Sequence, residues 1–211
     1  TAMATVTTDP PAFLQTLPSP PPRLLYRMSM EKYEAMVESG VFSRRDRLQL
    51  VEGLLVGKMT EHPPHASVSV TTADAIRALL PQGWHVREEK PLRIPARASL
   101  PEPDIVVTRG KSQDYLKRHP EPVDVSLVIE VADSSLEEDR TLMARVYGGG
   151  GVARYWIVNL VDCQVEVYSQ PSGTAEPLGY RHCEIFRPGQ SIPVLIDETE
   201  VGRIAVADIL P

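Results

Sequence analysis

Cysteine is scarce in this 211-residue chain. Cys163 and Cys183 are the only two, too few for a disulfide framework and without the spacing of a thiol metal site, so free thiols are expected. Long apolar runs are missing as well. No stretch approaches the roughly 18 consecutive apolar residues of a membrane span, and the first residues carry neither the basic start nor the apolar segment of a signal peptide, so no membrane partner and a cytoplasmic location are expected. Nor is there an excess of basic residues: 22 Lys and Arg against 28 Asp and Glu leave a net charge of −6. A nucleic-acid partner would therefore have to be held by a local basic patch, whereas clustered carboxylates around a cation suit an acidic chain. What remains is ordinary for a globular protein, with 42% hydrophobic and 24% charged residues. Length and composition fit one large domain with an appendage.

The appendage is the N-terminal segment. Six of the 20 prolines fall in residues 1–22, ending in Pro20-Pro21-Pro22, which predicts an extended arm followed by a single domain over residues 23–211. Ser29 can cap a helix that runs to Gly40. The segment Arg47 to Lys58 reads as a hairpin or bent strand turning at Glu52-Gly53. After Pro63-Pro64, Val68, Thr72, Ala75, Ile76 and Leu79 share one face of a longer helix, which Pro81 and Gly83 close. Short strands are predicted at Trp84–Glu88, Leu92–Pro95 and Asp104–Thr108. The run Val125 to Ala132 is apolar on both faces, as expected of a strand at the centre of a covered sheet. Ser134 or Ser135 can cap a helix reaching Tyr147, and Tyr155 to Leu160 is again a buried-type strand. Together these form a βαβ unit with a right-handed crossover. Antiparallel additions at Gln164–Tyr168 and Tyr180–Phe186 complete an α/β fold.

One residue breaks the central strand. Glu130 sits in an otherwise apolar run, where a lone ionised carboxylate is too costly to bury. It must be exposed at a strand end, protonated, paired with a base, or bound to a metal. A second acid narrows the choice: Asp104 opens one strand and Glu130 lies near the end of the next long one, so antiparallel pairing would bring both to one edge of the sheet. Two close carboxylates raise each other's pKa unless a divalent cation lies between them, and hard oxygen ligands of this kind suit Mg²⁺ or Mn²⁺.

Several fragments taken in order carry a resemblance. Arg47-Leu48-Gln49-Leu50-Val51-Glu52-Gly53 comes first, then Pro103-Asp104-Ile105-Val106-Val107 and Leu127-Val128-Ile129-Glu130-Val131 with Ser134-Ser135. Asp139-Arg140, Tyr147, Gly151-Val152, Tyr155-Trp156-Ile157-Val158 and Val165-Glu166-Val167-Tyr168 follow. Over roughly residues 24–210 this pattern resembles the Uma2 family of restriction endonuclease-like proteins, within the PD-(D/E)XK nuclease superfamily. The resemblance implies a mixed central sheet flanked by helices, a DNA substrate and a Mg²⁺- or Mn²⁺-dependent endonuclease. It also implies that Asp104 and Glu130 are metal-binding acids, Glu52 an additional acid, and the carbonyl of Val131 a further ligand. In the family a lysine on the helix after the Glu130 strand completes the site. This chain has Met143 there, and Gln49 where a glutamate is common.

A thioether neither orients water nor stabilises phosphate charge, and Arg140, one turn earlier, is the candidate substitute. The alternative is a nuclease-like module without catalysis that binds DNA or another protein. Cutting two strands with one site each points to a homodimer. His62 and His65, separated by two prolines, lack the H-E-x-x-H spacing of a zinc site, and His65 is expected near the acids at a helix start. The glycines 148–151 follow a helix instead of preceding one, which excludes a phosphate loop. They read as a loose last turn with Gly151 as the cap. The serines at 134 and 135 lack the Gly-x-Ser-x-Gly setting of a hydrolase nucleophile. Two basic clusters, Arg44-Arg45-Asp46-Arg47 and Lys111 with Lys117-Arg118-His119, are candidates for phosphate contact.

Overall fold

The computed structural model describes residues 25–42, 46–58 and 62–210. The proline-rich arm and the basic pair Arg44-Arg45 lie outside them. A helix α1 (Met30–Glu38) begins where the Ser29 hydroxyl accepts from the Lys32 amide, as its sequence predicts. A hairpin follows, β1 (Leu48–Val51) and β2 (Leu54–Gly57). Its turn residues Glu52 and Gly53 both have positive φ, the geometry that matches the twist of a two-residue hairpin. Helix α2 (Pro63–Leu79) starts with Pro in its first turn, where a missing amide hydrogen costs nothing.

The main sheet has six strands: β3 (Trp84–Glu88), β4 (Ile105–Arg109), β5 (Val125–Ala132), β6 (Arg154–Asn159), β7 (Gln164–Pro171) and β8 (Tyr180–Phe186), ordered β3-β4-β5-β6-β7-β8. Only β5 and β6 are parallel, and every other neighbouring pair is antiparallel. The expected βαβ unit therefore forms around one central parallel pair. All eight residues of β5 are buried. Leu127, Ile129 and Val131 face a core shared with Ile76 of α2, and with Ile192 and Ile204 of a second hairpin, β9 (Ser191–Ile196) and β10 (Thr199–Ala205). On the other face Val128 and Ala132 pack with Met143, Val146 and Tyr147. Those three come from the crossover, which runs as α3 (Leu136–Glu138), a π-helical stretch Asp139–Met143, and α4 (Ala144–Gly149). A last short helix, α5 (Val206–Ile209), packs against α2.

Three local expectations change. Leu92–Pro95 forms no strand. Leu92 and Ile94 are fully buried, but only an isolated bridge from Ile94 to Ser99 forms, because Pro91 and Pro95 remove two of the donors a ladder needs. Ser135 does not cap the helix through its side chain; its hydroxyl donates to the Asp139 carboxylate instead. The glycines 148–150 are close-packed and not loose. A Cβ on Gly148 would collide with the carbonyl of Gly179, and one on Gly150 with the side chain of Ile94. Gly151 does end the helix in the left-handed region, at φ +85°.

Candidate active site

Antiparallel pairing of β4 with β5 sets Ile105 opposite Ile129. The residue before the first pair and the residue after the second, Asp104 and Glu130, therefore meet at one edge of the sheet. The backbone locks them together reciprocally. The Asp104 amide donates to Glu130 Oε2 at 3.0 Å, and the Val131 amide donates to Asp104 Oδ2 at 2.8 Å. Tyr147, eight residues after Asp139 along the crossover, donates its hydroxyl to Glu130 Oε1 at 2.6 Å. Both acids are buried. Burial, and then the charges of Asp104 and Asp139, push the Glu130 carboxyl well above its ordinary range.

These acids line a cleft together with Gln49, Lys58, His65, Asp139 and Met143. The expectation that His65 lies beside the acids holds: its Nε2 is 3.1 Å from Asp104 Oδ2. Met143, buried like Asp139, lines the cleft with it. Asp139 is itself buried, and its pKa is raised to about 7. Burial is the main cause, with the Ser135 hydrogen bond opposing it and the charge of Asp104 adding to it.

Two expected members are elsewhere. Glu52 does not line the cleft. It occupies the tip of the β1–β2 turn, past the strand whose alternation puts Gln49 inside, and its carboxylate is held by Arg97 and by Arg145 at 2.6 Å. Those two guanidinium groups outweigh its burial and hold it below the usual carboxylate range. Arg140 is turned away as well. It follows Asp139 directly and so leaves that residue's face of the crossover, and its guanidinium binds Glu166, at 3.1 Å from Nε, and Asp162 at 3.1 Å. Glu166 is buried with this partner and with Asn159 and Tyr168. Their hydrogen bonds overcome its desolvation and bring its pKa to about 2.

The residue that sequence reasoning missed is Lys58, just past β2. Its ammonium lies 3.6 Å from Asp104 Oδ1 and 3.2 Å from Glu89 Oε1, with the side chain 18% exposed. Burial would lower its pKa, but Asp104, Glu130 and Glu89 raise it, so it stays charged. A lysine after a hairpin strand has no sequence signal that ties it to acids 46 and 72 residues away.

A mixed sheet with crossover helices and paired acids at the β4–β5 edge is the restriction endonuclease-like fold. The Uma2 family model, described as "Putative restriction endonuclease", matches residues 30–201, and the chain belongs to that family. Among solved structures, a putative nuclease belonging to DUF820 from Anabaena variabilis ATCC 29413 superposes with a TM-score of 0.61 at 14% identity. The match covers 86% of this chain and 97% of that one. None of the curated proteins matches. No helix among the described residues is long and apolar enough to cross a membrane.

Proposed function

We propose that this protein is a Mg²⁺- or Mn²⁺-dependent endonuclease that hydrolyses DNA phosphodiesters in the Asp104–Glu130 cleft. The observation that carries the reading is the reciprocal, backbone-locked burial of those two like-charged carboxylates, a costly arrangement that a divalent cation relieves. The donor set fits such an ion: Asp104 and Glu130, with the carbonyl of Val131, would hold it, and water and substrate oxygens would fill the rest. Among the described residues no group of three His, Cys, Asp or Glu side chains is placed to hold a metal ion. Bound there, the ion supplies a more acidic water and neutralises charge on the phosphate.

The chain's own groups divide the remaining work. Lys58 presents fixed positive charge at the mouth of the site, where it can meet a phosphate oxygen. His65 and the Val131 amide fix the orientation of Asp104, and Tyr147 fixes that of Glu130. Met143 fills space and excludes water.

Calorimetric titration of Mn²⁺ into wild type and Asp104→Ala tests the metal directly. Binding by wild type that disappears in the variant, together with plasmid cleavage lost in the same variant, is the expected result. Absence of Mn²⁺ uptake by wild type would sink the reading. Met143, together with the engagement of Arg140 by Glu166, favours a second reading, a DNA-binding module without turnover. Metal and DNA binding without cleavage would select it. Double-strand cleavage with one site per chain calls for a homodimer, which sedimentation at cleavage-competent concentrations would show.

A further inference from the structure

Strand β3 is an edge of the six-stranded sheet. Its register places Arg87 opposite Val106 and Glu88 opposite Ile105. Asp104 immediately precedes β4, two residues before Val106, so by alternation Arg87 lies on the sheet face that carries Asp104, displaced by about 7 Å of strand rise. Among the half-buried arginines of the described residues, Arg87 stands apart. Arg93 is surrounded by Glu31, Glu34 and Glu121, Arg118 by Asp124, and Arg109 by Asp197. Arg87 has no carboxylate partner among the described residues. Its Nε is buried without a hydrogen bond, while its Cζ lies over the Tyr115 ring, 5.4 Å from the centroid, a ring it shares with Arg118 at 5.0 Å. A half-buried cation left without a counter-charge is costly. A planar fork backed by an aromatic ring is the geometry in which arginine receives a phosphate.

The loop that supplies Tyr115 leads from β4 to β5, and its root is fixed. His85 Nδ1 donates to the Gly110 carbonyl at 2.9 Å, Tyr115 donates its hydroxyl to the Arg109 carbonyl at 2.8 Å, and the Gly110 amide donates to Gly83. On that rigid base stand Lys111 and Lys117, both exposed and neither in an ion pair among the described residues. An acidic chain can bind a polyanion only through such a patch.

We propose that Arg87, Lys111 and Lys117 form a DNA-backbone contact on the β3 edge that holds the duplex whose scissile phosphate enters the acid cleft. This rests on the nuclease reading above and assigns the surface by which the substrate is held. Tyr115 supports Arg87 through a cation–π contact, and the proposed contact carries no base recognition.

The test is fluorescence anisotropy of a labelled duplex in EDTA, which prevents cleavage, over a range of salt concentrations. It compares the full-length wild type with Arg87→Gln and with the double variant Lys111→Glu/Lys117→Glu. Each lost phosphate contact should reduce the slope of log K against log salt by about 0.9, and the double variant should bind roughly tenfold more weakly. Arg87→Lys should recover part of the loss. Mn²⁺ titration of each variant should match wild type, which separates a lost contact from a damaged fold. Arg181→Gln, on the opposite sheet edge, should bind as wild type does. Salt-dependent binding by wild type that these variants leave unchanged would overturn the assignment and leave the nuclease reading standing. Wild type that binds no duplex at low salt would overturn both.

Discussion

Lys58 and Met143 line the same cleft from different elements, one after a hairpin and one on the crossover helix. Their positions make charge and not residue order the quantity to test. Replacing Lys58 by Met should lower Mn²⁺-dependent cleavage by roughly 100-fold, the scale seen when one electrostatic donor is removed from a transition state. It should also tighten Mn²⁺ binding, because an ammonium 3.6 Å from Asp104 competes with the ion. If Lys58 were only a structural counter-charge to Asp104, cleavage would survive its loss. In the Lys58→Met background, Met143→Lys should restore a large part of the rate by returning a cation to the cleft from the other side. A double variant as slow as the single one would show that the position of the ammonium, and not its presence, is what matters.

The crossover between β5 and β6 is the element that assembles the site, and two features hold it in place. The first is the ion pair of Arg140 with Glu166, which ties the π-helical stretch to β7. Single π-helical turns are frequent at functional sites, and here Asp139 and Met143, the buried residues of the stretch, both line the cleft. Glu166, with its pKa lowered to about 2, contributes stability that is present above about pH 4.5 and is lost as pH falls towards 2. Glu166→Gln should therefore flatten the acid limb of a denaturation series between those values. The second feature is the close approach of Gly148 to the carbonyl of Gly179. Gly148→Ala should destabilise the protein by about 2 kcal/mol or more, because backbone would have to move. A wild-type melting temperature in that variant would show the approach to be slack.

At the scale of the whole molecule, the cleft acids contribute a pH response of opposite sign to that of Glu166. The pKa of Asp139 is raised to about 7 from an ordinary 3.8, and Glu130 is raised as well. The folded state therefore holds protons that the unfolded chain gives up. Stability is then greatest below about pH 4, as far as these groups are concerned, and declines as pH rises through 7. Chemical denaturation of metal-free wild type between pH 5 and 8 should show that decline, and Asp139→Asn should reduce it. Saturating Mn²⁺ should remove much of it, since the ion favours the ionised carboxylates and stabilises the folded state by mass action. An unchanged slope in Asp139→Asn would mean that the decline comes from other groups.

Much of this architecture is legible without coordinates. The extent of β5, the helix that starts after Ser29, the turn at Glu52-Gly53 and the meeting of Asp104 with Glu130 all follow from local rules: alternation, capping, positive-φ turns and the antiparallel pairing of adjacent strands. Glu130 advertises itself because a charge in an apolar run has few physical explanations. Tertiary structure decided the rest. It placed Glu52 with Arg97 and Arg145 and Arg140 with Glu166, and it brought Lys58 to Asp104 across 46 residues of chain. Ion-pair partners are chosen by proximity in the folded chain, where any of many cations can satisfy a given carboxylate, and local periodicity carries no information about which one arrives.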